Sequence, residues 1–204
     1  MENLVTINGE IYHINTVALD FKYNRLEQLP VDIGRLICLQ TANLCGTGLT
    51  VLPKEIGNLR NLSLLNLSGN YLKRLPNEIG NLTSLKDLDL CGNRLTSLPK
   101  EFGNLTCLIS LFLSDNDING LPKEFSNCSS LKELNLENNK LRYFPEEICC
   151  LKGLTGLNLD SNGLTDLPVE IGNLTSLTSL NLNFNKIHLL PREIGNLTSL
   201  TVLS

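Results

Sequence analysis

Residues 62–84 read LSLLNLSGNYLKRLPNEIGNLTS, and this 23-residue unit recurs along most of the chain. Its proline marks the same position in eight copies, which are Pro30, Pro53, Pro76, Pro99, Pro122, Pro145, Pro168 and Pro191. An acidic residue follows each proline two positions later. A fixed period of this length is typical of proteins that stack repeated structural units.

The template of the unit, L-x-x-L-x-L-x-x-N-x-L-x-x-L-P-x-E-I-G-N-L-x-x, predicts its local structure. The L-x-x-L-x-L part predicts a short strand with alternate residues pointing inward. One unit cannot bury its leucines alone, so neighbouring units stack and their strands form a parallel sheet. The proline suits the first helical position and the acid suits the first turn near the helix dipole. We therefore expect an α/β solenoid with short α or 3₁₀ helices opposite the sheet.

An asparagine column falls where each predicted strand ends and the chain turns. A buried asparagine amide can satisfy backbone groups that the turn leaves without partners. The second copy carries Thr47 in this column, and we expect weaker hydrogen bonding there. The asparagines are Asn24, Asn70, Asn93, Asn116, Asn139, Asn162 and Asn185.

The repeat resembles that of the leucine-rich repeat family over nearly all of the chain after residue 15. Its LPxEIGNL form is similar to the cytoplasmic Ras-suppressor and Ras-scaffold type, whereas only residues 119–122 come near the G-x-I-P form of plant receptors. The resemblance implies a curved horseshoe with the sheet on its concave face and the helices on its convex face. It also implies a non-enzymatic binding module, often one that serves small-GTPase, kinase or phosphatase signalling.

The two ends of the chain depart from the repeat. Residues 1–15 contain Asn8-Gly9 between apolar flanks, which predicts a β-hairpin cap on the N-terminal edge of the sheet. Residues 16–204 form the repeat domain, with eight full copies and a truncated ninth. Because Leu200 and Leu203 occupy core positions of that ninth copy, we expect one of two arrangements. Either the natural chain continues past Ser204, or this end self-associates with another chain.

The composition indicates the cellular compartment of the protein more clearly than it indicates the binding partner. The helix-start column supplies 8 of the 21 acidic residues, so the net charge of −4 is mostly structural and says little about partners. The seven cysteines are scattered and odd in number, and the first residues lack a secretory signal. No apolar run is long enough to span a membrane. We expect reduced cysteines in a cytoplasmic protein that is not bound to a membrane.

Catalytic chemistry is not indicated by the sequence. The two histidines, His13 and His188, lie near opposite ends of the chain. No serine–histidine–acid set, metal-ligand spacing or phosphate loop stands out. We therefore expect no enzymatic activity, no cofactor and no metal site.

The concave face is the predicted protein-binding surface, because solenoids bind on their extended inner surface. Its exposed positions are acidic in repeats four to six, while the positions just after the asparagine column are basic. An acidic floor suits a protein partner of mixed charge and opposes the phosphates of nucleic acid. The predicted binding residues are Asp87, Asp89, Ile109, Phe112, Asp115, Lys132, Glu133 and Glu137.

Phe112 departs from a column whose other seven members are short and polar. Together with Ile109 it either anchors a partner or lies flat over its neighbours. Two functions remain open from the sequence. The chain is a stand-alone scaffold, or it is the targeting region of a larger signalling enzyme such as a kinase, phosphatase, cyclase or deadenylase.

Overall fold

A computed structural model describes residues 3–26 and 28–204. Within these residues one parallel sheet has nine strands, in the order of the chain from β3 to β11. Neighbouring strands pair at intervals of 23 residues, so that Leu88 lies beside Leu65 and Leu111. The strands are β3 (Ala18–Asp20), β4 (Thr41–Asn43), β5 (Leu64–Asn66), β6 (Asp87–Asp89), β7 (Ser110–Phe112), β8 (Glu133–Asn135), β9 (Gly156–Asn158), β10 (Ser179–Asn181) and β11 (Val202–Leu203).

A 3₁₀ helix of five residues follows each of the strands β3 to β10 and returns the chain along the convex side. The predicted short helices are confirmed, and all eight within the described residues are 3₁₀ rather than α. They are η1 (Val31–Arg35), η2 (Lys54–Asn58), η3 (Asn77–Asn81), η4 (Lys100–Asn104), η5 (Lys123–Asn127), η6 (Glu146–Cys150), η7 (Val169–Asn173) and η8 (Arg192–Asn196).

The repeated proline lies one residue before each helix rather than at its first position, so that detail of the sequence prediction is wrong. Pro76 is extended, with φ −67° and ψ 150°, and its carbonyl oxygen accepts the first helical hydrogen bond from the N–H of Ile79 at 3.1 Å. A 3₁₀ helix closes bonds over three residues, so the residue that supplies the first acceptor stands outside the helix. The fixed φ of proline still sets the entry of the chain.

Glycines in the helices let neighbouring repeats approach closely on the convex side. A Cβ atom at Gly80 would lie 2.2 Å from the carbonyl oxygen of Glu101, and one at Gly103 would lie 2.2 Å from that of Glu124. Ser126 in η5 and Cys149 in η6 occupy the same position. The contacts from η5 to η6, and especially from η6 to η7, are accordingly less extensive than those that the glycine-bearing helices η2, η3 and η4 each make with the next helix.

The core is one continuous stack of leucines between the sheet and the helices. The middle residue of each strand from β3 to β10 is buried, as in Leu65, Leu88 and Leu111. Two phenylalanines replace the usual isoleucine in η4 and η5, and their rings, Phe102 and Phe125, stack with centroids 6.0 Å apart. No single repeat encloses this core, and the fold therefore depends on contacts between repeats.

The N-terminal hairpin forms as predicted, with β1 (Leu4–Ile7) antiparallel to β2 (Glu10–His13). Its turn residues Asn8 and Gly9 have positive φ, as a two-residue turn of this kind requires. Val5 and Ile7 are buried in the core. The hairpin is a separate sheet, so it covers the apolar end of the first repeat without pairing with β3.

The asparagine column forms a hydrogen-bonded ladder through the turns that end the strands. The Asn116 amide nitrogen donates to the carbonyl oxygen of Leu90 in the preceding repeat at 3.0 Å and to that of Leu113 in its own repeat at 3.1 Å. Its side-chain oxygen accepts the N–H of Leu95 at 2.9 Å. Asn70, Asn93, Asn139, Asn162 and Asn185 make the same three kinds of bond.

The start of the ladder differs from the prediction. Asn24 is exposed, because no repeat precedes it to supply the carbonyl that a ladder asparagine bonds. Thr47 is fully buried, and its hydroxyl lies 3.0 Å from both the Leu44 carbonyl oxygen and the Asn70 side-chain oxygen. The N–H of Leu26, which an asparagine oxygen would accept, bonds instead to the backbone oxygen of Thr47 at 2.9 Å. The ladder is therefore simpler at this repeat, as expected.

The C-terminal repeat exposes more apolar surface than the others. β11 pairs with β10, and Leu200 packs half-buried against the core. Leu203 is 47 % exposed, and Phe184 and Leu189 are more than 80 % exposed. Self-association through this end stays a prediction.

The ladder predicts a difference between two alanine substitutions. Asn116→Ala removes the acceptor of the Leu95 N–H and the donors to the carbonyl oxygens of Leu90 and Leu113. We expect this substitution to lower the free energy of unfolding by about 2–3 kcal/mol. Thr47→Ala removes a single hydroxyl, and we expect a loss of about 1 kcal/mol. Urea unfolding followed by circular dichroism measures both. Equal losses would contradict the proposed role of the asparagine amide.

Candidate functional site on the concave sheet

The concave face is built from the first and third residues of each strand, because the middle residue points into the core. Parallel pairing in register places equivalent residues side by side on neighbouring strands, about 4.8 Å apart. Two rows of side chains therefore cross the sheet. The first-residue row contains Asp87, Ser110, Glu133, Gly156 and Ser179 from β6 to β10.

The third-residue row is largely structural. In seven of its eight members from β3 to β10 a side-chain oxygen accepts the backbone N–H two residues later, at 2.9 to 3.3 Å. These bonds pair an N–H that the turn would otherwise leave without an acceptor. The polar character of the row is thus explained by the backbone. Its seven members are Asp20, Asn43, Asn66, Asp89, Asn135, Asn158 and Asn181.

Phe112 is the eighth member of this row and cannot make the bond. The Ser114 N–H, which an asparagine at position 112 would bond, has no oxygen acceptor among residues 3–26 and 28–204 and faces the Cys91 thiol instead. Phe112 is 38 % exposed and stands between Asp89 on β6 and Asn135 on β8. The row therefore gives up a structural hydrogen bond here and gains an exposed aromatic ring.

The predicted carboxylates lie on both sides of Phe112. Asp87 and Asp89 belong to β6, and Glu133 and Glu137 lie at the start of β8 and just after it. None of the ion pairs found within the described residues involves these carboxylates. The carboxylates in the middle of the concave face therefore form no ion pair with a basic side chain of the described residues.

The other predicted residues lie at the edges of this surface. Ile109 precedes β7 and is separated from Phe112 by Ser110 and Leu111. The ammonium of Lys132 extends toward Gly153, 2.9 Å from where a Cβ atom of that glycine would lie. Asp115 lies in the turn after β7 with φ 56°, and its carboxylate accepts the Asn138 amide at 2.7 Å. A role for these side chains in binding stays a prediction.

A depression of about 280 Å³ opens beside Phe112 and was not predicted from the sequence. Its low point is Gly156, over which the Glu133 side chain lies, since a Cβ atom on Gly156 would come within 1.8 Å of Glu133 Oε2. The other carboxylate oxygen accepts the Thr155 hydroxyl at 2.8 Å. The signal in the sequence was the glycine of the first-residue row, whose neighbours in β7, β8 and β10 all carry polar side chains. The depression is lined by Phe112, Glu133, Leu134, Asn135, Gly156, Leu157, Asn158, Ser179 and Asn181.

The basic residues that follow the asparagine ladder are all exposed. Some already have partners within the chain, because Arg94 lies over the Tyr71 ring at 4.9 Å and Lys140 pairs with Asp117 at 2.6 Å. This margin lies beyond the ends of the strands and leaves the acidic centre unpaired. Its members are Arg25, Lys73, Arg74, Arg94, Lys140, Arg142 and Lys186.

Three of the cysteines have thiols that burial makes less acidic. All seven are free, and burial raises the pKa of the Cys128 and Cys149 thiols to about 12 and that of Cys91 to about 11. These three thiols stay protonated at neutral pH and are poor nucleophiles. Within the described residues, no three His, Cys, Asp or Glu side chains are grouped so that they could hold a metal ion. None of the described helices has the length and apolar character that crossing a bilayer requires.

Comparisons with known sequences agree with the repeat pattern. A family model described as a leucine-rich repeat region matches residues 9–93 and 123–204, and a second leucine-rich repeat model matches residues 83–141. No curated protein matches the sequence.

Solved structures share the same architecture. A leucine-rich repeat protein of Leptospira interrogans is 39 % identical, with a TM-score of 0.65, and the alignment covers 89 % of this chain and 58 % of that one. The plant peptide hormone receptor RGFR1, in complex with RGF2, is 31 % identical with a TM-score of 0.67, over 86 % of this chain and 33 % of the receptor. Internalin C2 of Listeria monocytogenes is 25 % identical with a TM-score of 0.84, over 96 % and 86 %. The chain thus spans little more than half of the Leptospira protein and a third of the receptor.

The hydrogen-bonding row predicts that position 112 is suboptimal for stability. Phe112→Asn supplies an acceptor for the Ser114 N–H, and we expect its free energy of unfolding to exceed that of Phe112→Ala by about 1 kcal/mol. Phe112→Ala itself should stay close to the wild-type protein, whereas Leu111→Ala, in the core, should lose about 2–5 kcal/mol. Chemical denaturation measures all three. A Phe112→Ala protein as unstable as Leu111→Ala would show that the ring is part of the core.

Proposed function

The chain belongs to the leucine-rich repeat family, and we propose that it is a non-enzymatic module that binds a protein partner on its concave sheet. Leucine-rich repeats are typically protein-interaction modules, and the curved stack of repeats offers an extended inner surface for this purpose. The proposal commits to the part of that surface around β6 to β9.

The observation that carries the proposal is the exposed ring of Phe112. Seven equivalent positions hold an asparagine or aspartate that stabilises its own turn, and this position does not. An aromatic side chain that contributes no backbone hydrogen bond and remains 38 % exposed is suited to anchor an interface. Its departure from the row is best explained by a contact outside the chain.

The charge around Phe112 supports a partner segment that is basic and partly apolar. The carboxylates of Asp87, Asp89, Glu133 and Glu137 lie on the strands on either side and have no basic partner within the described part of the chain. Complementary charge speeds association and disfavours partners of the wrong sign. The same charges oppose the phosphates of a nucleic acid. The similar receptor RGFR1, solved with RGF2, supports a peptide-like segment as the bound element.

We further propose that the module acts in cytoplasmic signalling, with a small GTPase, kinase or phosphatase as the partner. The LPxEIGNL form of the repeats supports this assignment through its similarity to the Ras-suppressor type. Seven free cysteines also support a reducing compartment.

Selection from a random peptide library tests the location of the binding surface. Dodecapeptides displayed on phage are selected on the immobilised protein, and each enriched peptide is synthesised and its affinity measured by fluorescence anisotropy. We expect peptides whose affinity falls about tenfold or more on Phe112→Ala, because an anchoring aromatic contributes that much at an interface.

Tyr143→Ala is the matched control, because Tyr143 is an aromatic residue that is 75 % exposed in the loop after the asparagine ladder. Its peptide affinities should equal those of the wild-type protein. Selected peptides that respond to Tyr143→Ala and ignore Phe112→Ala would place the binding surface elsewhere and contradict the proposal.

A further inference from the structure

We propose that the depression between Phe112 and Gly156 is a subsite for one arginine side chain of the bound protein segment. This inference rests on the proposed function and assigns it a specific chemistry. It is carried by three features of the depression, which are a fixed carboxylate, a floor without a side chain and an exposed aromatic wall.

The carboxylate of Glu133 is held in place before any ligand binds. Oε1 lies 2.8 Å from the Thr155 hydroxyl, whose single hydrogen is shared with the Lys132 carbonyl oxygen at 2.9 Å. Oε2 lies over Gly156 and has no hydrogen-bond donor among the described residues. One carboxylate oxygen therefore has a shared hydrogen bond that orients the group, and the other is available to a cation. Fixing the group in advance lowers the entropy that binding would otherwise cost.

Gly156 makes this arrangement possible. A methyl group at position 156 would lie 1.8 Å from Glu133 Oε2 and would displace the carboxylate. The equivalent residues on β8 and β10 are Glu133 and Ser179, so the floor drops at β9 and rises again on both sides. At about 280 Å³ the space is smaller than a typical pocket for a drug-sized ligand and is suited to a single side chain.

Phe112 supplies the wall on the side of β7. It lies two strands from Gly156, which is about 10 Å at the usual strand spacing. Phe112 and Glu133 line the same depression, so an arginine side chain bound there can contact both the ring and the carboxylate. Arginine stacks on aromatic faces and forms paired hydrogen bonds with carboxylates, and the compact ammonium of lysine does this less well.

Two of the three asparagine side chains that line the depression already have partners for both their amide nitrogen and their oxygen. The Asn158 amide donates to Glu137 Oε2 at 3.0 Å and its oxygen accepts the Asp160 N–H at 3.0 Å. The Asn181 amide lies 3.4 Å from Asp160 Oδ2, and its oxygen accepts the Asn183 N–H at 3.1 Å. Within the described residues the Asn135 amide nitrogen and the Ser179 hydroxyl have no hydrogen-bond partner, but Glu133 carries the one formal charge among the lining residues, and its carboxylate accepts hydrogen bonds. A donor with positive charge is the matching group.

The test uses the whole protein and three short peptides. Acetyl-Ala-Ala-Arg-Ala-Ala-amide is titrated into ¹⁵N-labelled protein at millimolar concentration, with lysine and uncharged citrulline versions alongside. We expect the arginine peptide to shift the amide signals of Gly156, Asn158 and Phe112. The lysine peptide should bind roughly threefold more weakly, and the citrulline peptide more weakly still.

Three variants remove one feature each. Glu133→Gln and Phe112→Ala should each weaken the arginine peptide roughly three- to fivefold. Gly156→Ala displaces the end of a flexible side chain, so the fold should persist with an unchanged melting temperature while arginine binding falls. Glu146→Gln and Tyr143→Ala are matched controls outside the concave face, and both should bind as the wild-type protein does.

The subsite is overturned if the citrulline peptide binds as tightly as the arginine peptide, if the shifts lie elsewhere, or if Gly156→Ala binds unchanged. Equal binding of the lysine peptide would overturn the assignment of a guanidinium.

The binding-surface proposal and the arginine-subsite proposal can fail independently of each other. Library peptides that depend on Phe112 and contain no arginine would support the binding surface and overturn the arginine subsite.

Discussion

The hydrogen bonds of the asparagine ladder are the constraint on which the rest of the structure depends. Each ladder amide joins the strand end of its own repeat to the strand end of the one before, as Asn116 joins Leu113 to Leu90. The bonds satisfy buried backbone carbonyls, each of which accepts from the asparagines of two consecutive repeats, and a buried group without a partner would destabilise the fold. A repeat one residue longer or shorter would move its asparagine away from both carbonyls. The buried hydrogen bonds of the ladder asparagines therefore maintain the 23-residue period.

That period determines which side chains meet on the concave face. Because strands pair in register, a residue contacts its equivalents 23 positions away more closely than most of its neighbours in sequence. Most side chains of the third-residue row accept a backbone N–H of the following turn. Few positions on the concave face are therefore free to bind a partner. Binding capacity is concentrated where the row is interrupted, at Phe112, and where its neighbour row lacks a side chain, at Gly156. The stability given up at position 112 is local, because the core beneath it, at Leu111, is fully buried.

Much of the fold could be predicted from the sequence because it follows from spacing alone. The strands, the helical turns and the hairpin at Asn8-Gly9 each depend on residues a few positions apart. Asn24 was placed wrongly because a ladder bond needs a preceding repeat, and the proline was placed one position too late because 3₁₀ helices take their first acceptor from outside. The Glu133 arrangement could not be predicted, since it depends on how one side chain extends over a residue on the next strand. The polar row was interpreted as a binding surface because its bonds to the backbone are visible only in three dimensions.

The convex glycine column also has a consequence for the shape of the binding face. Strand spacing is fixed by hydrogen bonds, so the radius of the arc is governed by the distance between helices on the outside. Gly80 and Gly103 permit near contact with the next helix, and we expect a shallow arc at their repeats. Ser126 and Cys149 act as wedges in η5 and η6, behind the strands β7 to β9. We expect the solenoid to bend most sharply at these repeats, so that residues on the outer surface set the angle at which the opposing walls of the depression face each other.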